Sequence, residues 1–317
     1  MCYSAMVWSE YKSYVRKWGA DIDVREYVRL YWDHAQSPFL RPKGMDLGFA
    51  HPTEDWHRKI KEIVDAKGAA ETSKLEQEMF KQAKRLADAE RTLQTKTTKK
   101  ALEDQRIATN KIAGAKAKLA DLQRTEPKPQ DSRIFPGWYV PVMVWESGRR
   151  VVKPMRYKCR PAHVSANFDI ERPNAYNARR DNLEGFWKRQ FGHTHGIMVV
   201  NAFYEHVWRH AAEGRPLAEG EAPEDAILEF RPEPRQDMLV ACLWSHWKGP
   251  GEDLLSFAAI TDEPPPEIAA AGHDRVIIPI KPENIDAWLN PNPSDLAAMY
   301  AILDDRARPY YEHRMAA

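Results

Sequence analysis

Cysteine is scarce in this chain, with Cys2, Cys159 and Cys242 the only three among 317 residues. None of them has a second cysteine at paired spacing, which argues against a disulfide framework or a zinc ribbon and fits a reducing compartment. Long apolar runs are missing as well. No stretch approaches the length of a bilayer span, and the start of the chain lacks the basic-then-apolar order of a secretory signal, so a cytoplasmic protein without a membrane partner is expected. Charge of one sign is not in excess either: 47 Lys and Arg stand against 46 Asp and Glu. That balance excludes a uniformly basic nucleic-acid coat and leaves room for a local basic groove. There is no glycine-rich phosphate loop and no dinucleotide fingerprint, so no cofactor is expected. Nor is a metal. His206 and His210 follow Glu205 in the order Glu-His-x-x-x-His rather than His-Glu-x-x-His, and His193-Thr194-His195 has no third ligand nearby.

What is present falls into three textures. Up to about residue 50 the pattern predicts one or two amphipathic helices, with Val24, Tyr27, Val28, Leu30 and Tyr31 as an apolar face beginning near Asp21 to Asp23. From Asp55 to Arg124 the composition shifts to Lys, Glu, Ala, Gln and Thr. Leu75, Met79, Leu86 and Leu93, then Ile107, Ile112, Leu119 and Leu122, predict a long helical hairpin turning at Thr95 to Thr98 and ended by Glu126-Pro127-Lys128-Pro129. After Pro129 short β-rich pieces predominate: Tyr139 to Trp145, Val151 to Tyr157, Ile197 to Tyr204, Met238 to Trp247, Leu254 to Thr261 and Val276 to Ile280. Helices are predicted at Asn182 to Gln190, Ile285 to Leu289 and Pro293 to Asp304. The fold class expected is α+β, a mostly antiparallel, barrel-like sheet with appended helices. A single domain over 1–317, interrupted by a hairpin insertion at 55–125, is the expected organisation, and a monomer the expected state.

The second residue carries the most chemistry. Methionine removal from Met1-Cys2 would leave an amine and a thiol on adjacent carbons, with reference pKa values near ~8 and ~8.5, so each has a reactive minority at neutral pH. An aldehyde meeting this pair forms a Schiff base with the amine, and the thiol then closes a five-membered thiazolidine. The thiol alone could instead attack a carbonyl with the amine as its base.

Four strings downstream bear on that start: Phe135-Pro136-Gly137 with Val140-Pro141-Val142; Asn177-Ala178-Arg179; Phe203-Tyr204-Glu205; and Thr261 with His273-Asp274-Arg275, followed by Trp288-Leu289. In order and content they resemble the SOS-response-associated peptidase family, the abasic-site crosslinking proteins, over residues 1 to about 50 and 130 to 290. The resemblance implies a β-rich fold that holds single-stranded DNA and joins its amino-terminal cysteine to the C1′ aldehyde of an abasic site, within the nucleoid and the DNA-damage response. Carried over by position, Cys2 is the nucleophile, Asn177 a positioning residue, Glu205 an acid-base group, His273 a second proton carrier and Arg179 a phosphate contact.

The residue types suit those roles. Schiff-base formation expels water and needs a proton donor, which a partly buried Glu205 with a raised pKa could supply, and His273 titrates in the useful range. Asn177 can orient an amine as donor or acceptor, and Arg179 can grip a phosphate as a fork. Pro136 and Trp138 offer an apolar step for an unstacked base, and Thr261 a hydrogen bond. Two departures stand out. Tyr3-Ser4 replaces the family's usual Gly-Arg, and Arg156-Tyr157-Lys158-Cys159-Arg160-Pro161-Ala162-His163 stands where the family generally has a Trp-Gly pair and often a further tryptophan, with Lys158 and Arg160 offering charge where stacking is lost. Two other functions compete: an amino-terminal-nucleophile peptidase or amidase using the same Cys2, and a non-catalytic scaffold whose hairpin binds a protein partner.

Overall fold

The computed structural model describes residues 4–37 and 39–316. Cys2 and Tyr3, on which two of the expectations above fall, lie outside the described residues. The strands are β1 (Ser4–Val7), β2 (Asp21–Ile22), β3 (Arg133–Ile134), β4 (Tyr139–Glu146), β5 (Arg149–Tyr157), β6 (Asn177–Arg179), β7 (His195–Trp208), β8 (Asp225–Glu233), β9 (Met238–Gly249), β10 (Glu252–Asp262), β11 (Val276–Ile277), β12 (Pro279–Ile280) and β13 (Tyr310–Met315). The α-helices are α1 (Tyr11–Trp18), α2 (Val24–Asp33), α3 (Lys43–Leu47), α4 (Asp55–Thr95), α5 (Lys99–Gln123), α6 (Phe168–Glu171), α7 (Arg209–Ala212), α8 (Pro266–Ala270), α9 (Ile285–Leu289) and α10 (Leu296–Asp304). By packing the chain divides into two units, residues 1–51 with 129–317, and residues 52–128.

In the first unit, β-branched and aromatic residues at period two build one large sheet. Its main path is β12-β9-β10-β5-β4-β7-β1-β3. Most neighbours are antiparallel, while β10–β5, β10–β6 and β2–β5 run parallel. Strands β2, β6, β8, β11 and β13 pair off that path, so the sheet is branched, and a further β7–β9 pairing links two strands that are not neighbours on it. The mixed α+β class expected from the sequence holds; the pairings describe a large branched sheet, and barrel-like closure remains an expectation. Alternation places Val140, Val142, Phe203, Phe230, Phe257 and Ala259 in one core. Each large side chain buried there contributes about 1.5–3 kcal/mol relative to exposure.

The amino-terminal helices pack as their apolar face requires. Asp23 caps α2 by accepting the Glu26 N–H at 3.0 Å, and Tyr27, Leu30 and Tyr31 are buried. Tyr27 and Tyr31 meet Phe49, with ring centroids 6.1 and 5.5 Å apart, each such pair adding about 0.5–1.5 kcal/mol. The expected helix at Asn182 to Gln190 is absent. There the Asn182 Oδ1 accepts the Phe186 N–H at 3.1 Å, and Gln190 N bonds the carbonyl of Trp187, so side-chain capture and three-residue turns displace the helical ladder.

His195 ties α9 to the sheet. Its Nε2 accepts the Gly192 N–H at 2.8 Å and its Nδ1–H donates to the Trp288 carbonyl at 3.0 Å, an arrangement only the neutral ring can make. Burial pushes its pKa down to about 3. The unfolded chain therefore binds a proton more readily than the folded one, so this contribution to stability is complete above about pH 6.5 and is lost as pH falls from there towards 3. Urea unfolding at pH 7 and pH 4.5 should show a loss of about 3 kcal/mol from this ring, and His195→Asn should flatten that dependence.

The second unit is the helical hairpin. Thr98 caps α5 by accepting the Ala101 N–H at 3.1 Å. Arg85 to Asp104 at 3.0 Å and Lys111 to Glu78 at 3.5 Å fix an antiparallel register between α4 and α5. The buried seam differs from the one expected. Leu75, Gln82 and Ala89 on α4 and Ala101, Ala108 and Ala115 on α5 are buried at intervals of seven, whereas Leu122 is 40% exposed. Alanines let two helices approach closely, and the bulkier Met79, Leu86 and Leu93 are left flanking the seam, half-buried. Among the described residues no helix is long and apolar enough to cross a membrane.

Candidate active site

Strand alternation places Phe203, Glu205 and Val207 on the core face of β7 and Tyr204 on the other. Glu205 is completely buried. A lone carboxylate there would carry a large desolvation cost, so its neighbour matters. That neighbour is His273, which follows α8 and is 8% exposed, its Nε2 3.2 Å from the Glu205 Oε2. The other ring nitrogen lies 2.9 Å from the Arg275 carbonyl. With Nδ1 donating to that carbonyl, Nε2 faces the Glu205 carboxyl group. Burial lowers the His273 pKa below its ordinary value, which keeps the ring neutral at pH 7. Strand β1 runs beside this pair: Ser4, the first described residue, is in register with Tyr204, immediately before Glu205.

Asn177 and Thr261 belong to the neighbouring strands β6 and β10, where Asn177 pairs with Ala259 and Arg179 with Thr261. Asn177 Oδ1 accepts the Tyr157 hydroxyl at 3.4 Å. Its Nδ2 and the Thr261 Oγ1 are buried without a hydrogen-bond partner among the described residues. Both residues line a cleft of about 810 Å³ together with Arg179, Trp187, Asp274 and Arg275. Two buried polar groups with unspent hydrogen-bonding capacity beside a cleft are suited to hold a polar ligand. Asp274 and Arg275 also connect this cleft to the adjoining His273 along the chain.

The remaining sequence-predicted residues are placed differently. Arg179 lies at the cleft, its Nε donating to Asp181 at 2.9 Å, with about half its side chain exposed. Pro136 and Trp138 are half-buried in the turn between β3 and β4 and do not line the cleft. That turn needs Gly137 at φ +92°, and its N–H bonds the Tyr157 carbonyl, so it is anchored to the residue whose hydroxyl meets Asn177. Lys158 donates to the Asp169 carbonyl at 2.8 Å. Arg160 is 5% exposed, donates to Asp169 at 2.5 Å and to Glu252 at 2.6 Å, and lies over the Trp247 ring. Its guanidinium, expected to offer charge where stacking is lost, is engaged by these two carboxylates. Trp187, Phe186, Arg172 and Arg275 at the cleft received no role in the sequence reading. Arg275 stood inside a quoted string, whereas Phe186-Trp187 was hidden within the helix expected over 182–190.

No group of metal ligands occurs among the described residues. His206, adjacent to Glu205, points to the other face of β7 and bonds Asp225 at 2.7 Å. The two described cysteines are both fully buried. Burial pushes the Cys159 thiol up to about 12 and raises that of Cys242 as well, so neither is an accessible thiolate. A colorimetric thiol titration of the native protein should therefore leave both unreacted, Cys2→Ser should bring the native count to zero, and denaturation of that variant should reveal two thiols.

A protein-family model described as SOS response associated peptidase (SRAP) matches residues 91–316. The matched span starts inside α4, so the first ninety residues are outside it, unlike the resemblance read from residue 1 onward. No curated protein matches the chain. Among solved structures, it is similar to a protein from Bordetella bronchiseptica at 17% identity and a TM-score of 0.46, covering 59% of this chain and 87% of that one. A protein from Bacteroides thetaiotaomicron is similar at 16% identity and a TM-score of 0.46, covering 59% and 78%. A phage-related protein from Bordetella bronchiseptica is similar at 19% and 0.43, covering 61% and 84%.

Proposed function

The chain belongs to the SOS response associated peptidase family, a membership that supports a function in the response to DNA damage, and from it we propose that the protein captures abasic sites in single-stranded DNA. In this reading the liberated Cys2 amine attacks the C1′ aldehyde, the carbinolamine loses water to give an imine, and the Cys2 sulfur adds to the imine carbon while its proton passes to nitrogen. One C–N and one C–S bond form, the carbonyl oxygen leaves as water, and no oxidant or reductant is consumed. The observation that carries the reading is the buried Glu205–His273 pair beside the strand that begins at Ser4.

Glu205 and His273 are the groups that deliver a proton to the departing water and accept one from the thiol. Asn177 and Thr261 hold the open sugar through hydrogen bonds. Arg179 and Arg275 take flanking phosphates, a positioning role without sequence readout. Lys158 adds charge nearby, and Trp138 with Pro136 offers an apolar surface to a displaced base. Arg160 has no part in it. The hairpin is an insertion into a single family-type domain.

The test is incubation with an oligonucleotide bearing one abasic site, followed by denaturing electrophoresis and intact mass measurement. A denaturation-resistant species whose mass is the sum of protein and oligonucleotide less one water supports the reading. Peptide turnover without such a species would favour a peptidase, and would overturn it.

A further inference from the structure

The face of β7 opposite Glu205 carries a second charged surface. Five strands contribute in the order β3, β1, β7, β8 and β13. Arg133 lies 3.8 Å from the centroid of the Tyr204 ring and donates to Ser4 Oγ at 3.2 Å. Tyr204 donates to Glu229 at 2.9 Å, and the same carboxylate receives Arg314 at 2.9 Å and Arg231. A parallel arrangement holds Lys17, which donates to Asp237 at 2.5 Å, while Trp8 donates to that carboxylate at 3.0 Å. Lys17, Arg133, Arg231, Arg235 and Arg314 line a cleft of about 1180 Å³ in which these five cations meet two carboxylates, Glu229 and Asp237.

The layering decides what this surface attracts. The Glu229 side chain is 8% exposed, whereas Arg314 is 69% and Arg231 25% exposed. Asp237 is 19% exposed against 49% for Lys17. The carboxylates thus lie underneath, orienting the cations, and the outer layer is positive. Four inter-strand steps of about 4.8 Å separate β3 from β13 by about 19 Å along the sheet, and the contacts through Tyr204 and Glu229 bring Arg133 and Arg314 closer than that. Arg314, Arg231 and Arg133 thus give the phosphates of a single strand three guanidinium partners in a row. Guanidinium forks suit phosphate oxygens, and the Tyr204 ring already seats one guanidinium beside an aromatic surface.

We propose that this outer face of β7 is a second nucleic-acid backbone site, binding a DNA strand without reading its sequence, on the side of the strand remote from Glu205 and His273. The inference rests on the DNA-binding part of the function above and is independent of aldehyde capture. Its test uses a fluorescein-labelled, unmodified 15-nucleotide single strand, which has no aldehyde, in anisotropy titrations across salt concentrations with the full chain. Arg231→Ala with Arg314→Ala should weaken binding at least about tenfold near 50 mM salt and lower the salt slope by about 1.4, two phosphate contacts at about 0.7 each. Arg314→Glu alone, at an exposed position, should weaken binding comparably, and Arg314→Lys should restore most of it. Unchanged affinity and slope in both Arg314→Glu and the double variant overturn the proposal. So does tight binding of polyglutamate that is lost in these variants while DNA affinity is kept, which would assign the face to an acidic protein partner. An abasic oligonucleotide that gives no adduct, with the anisotropy losses as expected, would overturn aldehyde capture and leave this site standing.

Discussion

Cys2→Ala removes the denaturation-resistant species with abasic single-stranded DNA altogether, while non-covalent binding of the unmodified strand persists. The complete loss is expected because alanine retains the amine and deletes the sulfur. The amine alone gives an imine, whose C=N bond hydrolyses under denaturing conditions, whereas the ring closed by sulfur does not open readily. Borohydride makes the distinction sharp: with Cys2→Ala it should trap the imine as a stable amine, and with wild type it should add nothing to the yield. No other thiol can compensate, since Cys159 and Cys242 are buried with their pKa values pushed up. An adduct from Cys2→Ala without borohydride, at wild-type yield, would sink the assignment of the nucleophile.

Glu205→Gln slows adduct formation by about a hundredfold or more, in line with the 10² to 10⁴ that positioned acid-base groups contribute. The substitution keeps the shape of the side chain and its place beside the ring of His273, 3.2 Å away, but replaces the ionisable carboxyl group with an amide that neither gives nor takes a proton near neutral pH. Rate constants from quenched time courses at saturating oligonucleotide measure it. The pH dependence carries the sign of the His273 shift. Burial holds the ring's pKa below 6.5, so it is neutral at pH 7 and gains its proton only in more acid solution. His273→Gln should therefore erase an inflection of the rate profile below pH 6.5 and leave the region above it with the same shape. Equal rates for Glu205→Gln and wild type across that range would show that the pair has no part in proton transfer.

The helical hairpin shows how legibility depends on locality. Its turn after Thr95 and its stop before Pro129 follow from propensity and capping within a few residues, which a sequence carries directly. The seam was misjudged because leucine is the default core residue of a helix pair, while here Ala101, Ala108 and Ala115 set a close approach that only the partner helix reveals. Strands β8 and β13 were missed for a related reason. Asp225–Glu233 places Ala226, Leu228 and Phe230 in the core at period two with Ile227, Glu229 and Arg231 between and after them, yet β13 has only Tyr311 buried, and its pairing with β8 is a long-range fact. In the site, Glu205 and His273 were singled out from motif order, but their 3.2 Å contact joins elements 68 positions apart.

By itself the sequence determined the family, the mixed α and β character, the hairpin and the types of residue available for chemistry, because each is a matter of local pattern or of ordered strings. Only the tertiary structure decided that Arg160 is locked by Asp169 and Glu252, that Asn177 and Thr261 share a cleft with buried polar atoms left over, and that β7 turns Glu205 to one side, against His273, and Tyr204 to the other, beside a cationic layer. The physical reason is that burial and charge pairing are set by neighbours brought together across the sheet, whose identity one strand's sequence does not contain.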